Sequence, residues 1–118
     1  MSVDITKTGG CHAEITWTPQ DDPTGRLAQS VERDELAYAL ELLAGGPQDY
    51  DDDHALQAVR HTTKLARLLA TAAAVQVVQL RDERGMSWRQ IAATVHGDAD
   101  MQSKVRRQYE AGRRQIGI

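Results

Sequence analysis

Residues 84–116 read Arg84-Gly85-Met86-Ser87-Trp88-Arg89-Gln90-Ile91-Ala92-Ala93-Thr94-Val95-His96-Gly97-Asp98-Ala99-Asp100-Met101-Gln102-Ser103-Lys104-Val105-Arg106-Arg107-Gln108-Tyr109-Glu110-Ala111-Gly112-Arg113-Arg114-Gln115-Ile116. Gly85 ends whatever helix precedes it. Ser87 and Gln90 then have the spacing of a capping box, in which the serine hydroxyl accepts an N–H three residues on and the glutamine reaches back. Trp88, Ile91, Ala92 and Val95 form the inward face of a short helix of two turns. His96 to Asp100 interrupts it, and Asp100 is placed to cap a second helix running from Met101 to about Gln115. The inward stripe of that helix is Met101, Val105, Tyr109 and Gly112 (or Ile116). Its outward stripes are Gln102, Arg106, Arg113 and Ser103, Arg107, Glu110, Arg114.

A capped short helix, a glycine-containing turn and a basic second helix is the layout of a helix-turn-helix, with a small residue such as Ala92 where the helices cross. Guanine presents paired acceptors in the major groove that a guanidinium meets bidentately, and a Gln amide matches adenine. Ser87, Arg89 and the first amides of helix 87–95 suit phosphate. The run Gly85-Met86-Ser87-Trp88-Arg89-Gln90-Ile91-Ala92 resembles the helix-turn-helix of small bacterial DNA-binding proteins, similar to the sigma-factor region 4 type. There a Gly-x-Ser-Trp-x-x-Ile-(Gly/Ala) run precedes the turn and the recognition helix. The resemblance covers residues 84–114. It implies double-stranded DNA binding by helix 101–115, with Gln102, Ser103 and Arg106 at the bases. Arg107 also matches a groove-facing position. The turn from His96 to Asp100 is longer than the family's Leu-Gly-(Val/Ile)-Ser and carries two carboxylates. Backbone contacts are assigned to Ser87, Arg89, Lys104, Arg107, Arg113 and Arg114.

Working outward, residues 53–84 lack Gly and Pro, and Leu56, Val59, Thr63, Ala66, Ala70, Ala73, Val77 and Leu80 follow one helical stripe. A helix of this extent either kinks near Thr62-Thr63 or protrudes and pairs with another chain. Ala70, Ala72, Ala73 and Ala74 permit close helix approach, so the helix reads as scaffold and dimer interface. Leu27, Val31, Leu36, Ala39, Leu40 and Leu43 predict a helix over 25–44, stopped by Gly45-Gly46-Pro47. Val3, Ile5 and Ala13, Ile15, Trp17 alternate around Gly9-Gly10, which predicts a β-hairpin over 3–17. Such a hairpin is marginal alone and must pack on helices or a second subunit. Asp49, Asp51 and Asp53 imitate a calcium loop, but His54 stands where glycine is needed and Arg60 where the bidentate glutamate belongs. The carboxylates instead suit the N-terminus of a helix.

Charge divides with the motif. Residues 1–59 hold three basic and twelve acidic residues, a balance of −9, while residues 60–118 hold eleven and five, a balance of +6. A basic half supplies the phosphate-neutralising part of nucleic-acid affinity. Length suits one domain over 1–118, and the core residues are chiefly Ala, Leu and Val, with no Phe. Cys11 is the sole cysteine, there is no signal-like start, and the apolar run Leu68 to Val78 is too short to span a bilayer. These fit a cytoplasmic protein without a membrane role. Cys11-His12 and the scattered His54, His61 and His96 make no metal or nucleophile set, and Asp34-Glu35 and Asp82-Glu83 have no catalytic neighbours.

The expected fold is therefore mostly α: a helical bundle with a C-terminal helix-turn-helix, a long central helix and an N-terminal β-hairpin. The expected function is sequence-specific double-stranded DNA binding by a homodimeric transcriptional regulator, with no catalytic residues, metal or cofactor. Trp88 is expected to anchor the core rather than stack on bases. The rival expectations are a module that docks on RNA polymerase or another regulator without touching DNA, and a plasmid- or phage-type partition or copy-control protein. The acidic first half offers a surface for a protein partner.

Overall fold

The computed structural model describes residues 2–46 and 51–117. The chain is mostly helical, with an N-terminal antiparallel hairpin and a long central helix. It divides into two compact units, residues 1–62 and residues 63–118. None of its described helices is long and apolar enough to cross a membrane.

In the first unit, strands β1 (Asp4–Gly9) and β2 (His12–Thr16) pair Ile5 with Ile15 and Lys7 with Ala13. The two-residue connection is Gly10-Cys11, one place later than the expected Gly9-Gly10. Gly9 itself pairs with His12 beyond a register shift, so the extra residue is absorbed as an irregularity at the end of the ladder. Thr8 Oγ1 and His12 Nδ1 hydrogen-bond across this turn. The apolar face is only partly covered: Ile15 and Trp17 are half-buried, whereas Ile5 stays 66% exposed.

Beyond the hairpin, Thr18 and Asp21 form a capping box on a single 3-10 turn. Asp22 then accepts from the Leu27 and Ala28 N–H groups, both at 3.0 Å, and so starts helix α1 (Arg26–Glu32). The expected single helix over 25–44 is in fact two, α1 and α2 (Glu35–Leu43), broken at Asp34. Asp34 has φ +59°, the left-handed region that Asp tolerates better than most residues. Ser30 donates to the Arg26 carbonyl at 2.9 Å, the back-bonding that bends a helix, and Ser30 and Glu35 are buried at the break. Gly45 and Gly46, both at positive φ, end α2 as expected.

Helix α3 (Asp52–Asp82) is assigned as one helical run of 31 residues, and the boundary between the two units falls within it, at Thr62-Thr63. Its start uses the acidic segment as expected: Asp51 accepts from the His54 N–H at 2.8 Å. Gln48 and Asp49 of that segment lie outside the described residues. His54 Nε2 meets Glu41 Oε2 at 3.0 Å, and Tyr38 stacks on His61 at 5.1 Å, tying α2 to the first turns of α3.

In the second unit, the last turns of α3 meet helices α4 (Trp88–Val95) and α5 (Gln102–Ile116). Val77, Ile91, Ala92 and Val105 form the core, with Leu80, Met86, Trp88 and Tyr109 packed around it. Of the expected inward faces, Ile91, Ala92, Val105 and Gly112 are buried. Val95, Met101 and Ile116 are exposed, because the core closes over the middle of each helix and leaves the ends in solvent. Gly112 lies so close to α3 that an added Cβ would stand 2.3 Å from the Ala74 carbonyl oxygen. Ala74 thus gives close helix approach, but to α5 of its own chain.

Candidate nucleic-acid interface

The α3–α4 connection is fixed by short-range bonds. Gly85 takes φ +65° after α3, and Arg81 reaches forward to donate to the Met86 carbonyl at 2.9 Å. The Ser87 hydroxyl accepts from the Gln90 N–H at 3.1 Å, which sets the first turn of α4. Trp88 then lies between helices rather than out in solvent. Its ring meets Tyr109 edge-on at 5.1 Å, with the Arg81 guanidinium 4.4 Å and the Arg106 guanidinium 5.5 Å from its centroid.

The turn from His96 to Asp100 departs from expectation in one detail. Gly97 adopts φ +70° to leave α4, and the Met101 N–H returns to the Asp98 carbonyl at 3.0 Å. Asp100 was expected to cap α5, yet Met101 holds the N-cap position with no side-chain bond. The reason is local: the Asp98 carboxylate accepts the Asp100 N–H at 2.9 Å, an Asx turn that uses the preceding aspartate instead. One of the two carboxylates in the turn is therefore engaged with backbone.

Along α5 the assigned residues fall into three settings. Ser103, Arg106, Arg107 and Arg114 are exposed, on the side of the helix away from buried Val105 and Gly112. Gln102 and Arg113 are half-buried. The Gln102 amide donates to the Ala99 carbonyl at 3.4 Å, and the Arg113 guanidinium lies 5.7 Å from the Tyr109 ring. Lys104 is exposed on the other flank, where it and Arg107 border a shallow groove of about 440 Å³ floored by Ala70, Ala74 and Ala111. On α4, Ser87 and Arg89 are exposed. Comparison with known proteins finds no matching family model, no matching curated protein and no matching solved structure.

Three interactions here have no counterpart in the sequence reading. Arg81 braces both Trp88 and the Met86 carbonyl, and its only sequence signal is a place one turn before the α3 stop. The Tyr109 hydroxyl donates to both Asp82 carboxylate oxygens, at 2.8 and 3.0 Å, across 27 residues of chain. His96 Nε2 and Gln108 Oε1 lie 2.8 Å apart, fastening the turn to the middle of α5. The bond to Asp82 polarises the phenol. With a carboxylate accepting its proton, and partial desolvation adding to it, Tyr109 ionises above the usual tyrosine range.

Proposed function

We propose that α4, the turn at 96–101 and α5 form a helix-turn-helix that binds double-stranded DNA sequence-specifically, in a homodimeric cytoplasmic transcriptional regulator. The observation that carries this reading is the exposed face of α5. Ser103, Arg106, Arg107 and Arg114 project there from a helix whose opposite face is fixed by Val105 and Gly112 against α3 and α4. Polar and basic groups on a rigid helix are what direct groove readout needs. Arg106 is the base-reading guanidinium, and its stacking on Trp88 pre-orients the side chain. Gln102 and Ser103 supply the remaining base contacts. Ser87, Arg89, Lys104, Arg107, Arg113 and Arg114 supply backbone contacts; Arg113 and Arg114 in the last turn of α5 also complement its dipole.

The test is a salt titration of duplex binding for the native chain and two variants. Affinity should fall steeply as salt rises. Arg106→Ala should cost about 1–3 kcal/mol on the preferred sequence and relax discrimination at one position, whereas Arg113→Ala should weaken all sequences alike and flatten the salt slope. Equal losses on preferred and random DNA for Arg106→Ala would remove it from the base-reading set. A second reading, docking on RNA polymerase or another regulator, is favoured by one observation: Leu40 and Leu43 stand exposed on α2 in the acidic half. Absence of duplex binding even at low salt would put that reading first. A partition or copy-control role shares the same DNA chemistry.

A further inference from the structure

Beside its core face, α5 carries Lys104, Arg107, Gln108 and Ala111, at i, i+3, i+4 and i+7, so these four share one side of the helix. Ala70 and Ala74 of α3 meet them, and His96 of the turn joins them. Together they bound the groove of about 440 Å³, a size within the range of small-molecule sites. All of these residues belong to the second unit, so the groove lies inside one compact body. Its floor is methyl: Ala74 is buried and Ala111 half-buried, while Ala70 is exposed. The close approach of Gly112 to the Ala74 carbonyl fixes α5 against α3 beside it. We propose that this groove binds a small aromatic carboxylate, with the ring on the alanine methyls and the carboxylate between Lys104 and Arg107.

The polar groups around the groove are chiefly donors. An ammonium and a guanidinium accept nothing, and among the described residues no carboxylate pairs with Lys104 or Arg107. His96 Nε2 donates to the Gln108 carbonyl at 2.8 Å, so Gln108 has its amide N–H groups left to offer. Neither Asp nor Glu borders the groove. Such walls select a ligand group that accepts and carries negative charge. Helix stability does not explain Lys104, since a cation in the first turn of α5 opposes the helix dipole. The floor selects the rest of the ligand. Alanine ends at Cβ, so the surface is apolar and without protruding side chains, and a flat ring covers it. Inorganic phosphate would use the cations and leave the methyls wet, whereas a neutral ring would leave the cations unanswered. Under the proposed function Lys104 and Arg107 also contact the DNA backbone, so ligand and duplex would compete for them. The site itself rests on the groove alone.

The experiment titrates the full chain with 2-naphthoate at neutral pH by isothermal calorimetry. No DNA enters the titration, so its result stands apart from that of duplex binding. Saturable binding of one naphthoate per chain is expected, with 2-naphthamide and inorganic phosphate each at least about tenfold weaker. Ala70→Leu fills the floor and leaves every cation in place, and should weaken naphthoate by roughly tenfold or more. Arg107→Gln removes one exposed charge and should weaken it by roughly three- to fivefold. Both positions are exposed, so both variants should keep the helical circular dichroism of the native chain. The absence of saturable naphthoate binding would overturn the proposal. So would binding indifferent to Ala70→Leu, which would place the ring elsewhere. Phosphate or naphthamide binding as tightly as naphthoate would also overturn it, since the site would then read only charge or only the ring.

Discussion

A methyl group at position 112 would meet the Ala74 carbonyl oxygen at 2.3 Å and its carbon at 2.7 Å. Both are backbone atoms, so neither can swing aside. Alanine in place of helical glycine gains up to about 1 kcal/mol in propensity, while overpacking costs about 1–3 kcal/mol, so the clash wins. Gly112→Ala is expected to lower the thermal midpoint of the chain and, under the proposed function, to weaken DNA binding with it, as α5 is pushed from α3. An unchanged midpoint in a thermal melt would contradict the packing described. Tyr109 makes a second prediction. Its pKa is raised in the folded state, so the stability it contributes is complete below the unfolded tyrosine value and is lost as pH climbs through the folded one. Phenolate absorbance should report Tyr109 titrating late, and Asp82→Asn should lower its pKa. Ser87 and Trp88 could be placed from sequence because their partners are close by: a cap three residues on, a helix face within two turns. The Asp82–Tyr109 bond could not, since nothing local announces a partner 27 residues away.

Elements differ in the same way. The helical periods of α3, α4 and α5 and the alternation of the hairpin strands are repeated signals, and each element forms where the pattern places it. The break between α1 and α2 leaves only a weak trace, one change of phase in the apolar pattern. Leu27 to Val31 and Leu36 to Leu40 each keep a four-residue helical step, but Val31 to Leu36 across Arg33 and Asp34 is five residues, and there Asp34 turns left-handed and the helix ends. Asp34→Gly should leave stability within about 0.5 kcal/mol, since relief of the strained φ offsets the added freedom of the unfolded chain. Asp34→Val should cost at least about 1–2 kcal/mol, because a β-branched residue is poorly suited to φ +59°. Denaturant melts of the two variants separate these outcomes; equal stabilities would mean that the break is not held at residue 34. The candidate interface was legible to the same degree as its elements. Its exposed members, Ser103, Arg106, Arg107 and Arg114, follow from helical period, while the half-burial of Gln102 and Arg113 comes from a loop carbonyl and a tyrosine ring that period does not reveal.

At the scale of the whole molecule the charge division has a consequence for specificity. A balance of +6 in residues 60–118 against −9 in residues 1–59 makes the net −3 a poor guide to what the chain attracts. Under the proposed function, the basic half would draw in phosphate and the acidic half would repel DNA held without the fit of α5, lowering the non-specific background. Two copies related by a two-fold axis would read a palindrome whose half-sites lie about one helical turn, or a multiple, apart. The most direct test is selection from a pool of random duplexes across a salt series, with sequencing of the bound fraction. The account predicts enrichment of one palindromic motif, with binding that weakens as salt rises. Salt-sensitive binding without an enriched motif, or no binding at low salt, would contradict sequence-specific recognition by α5.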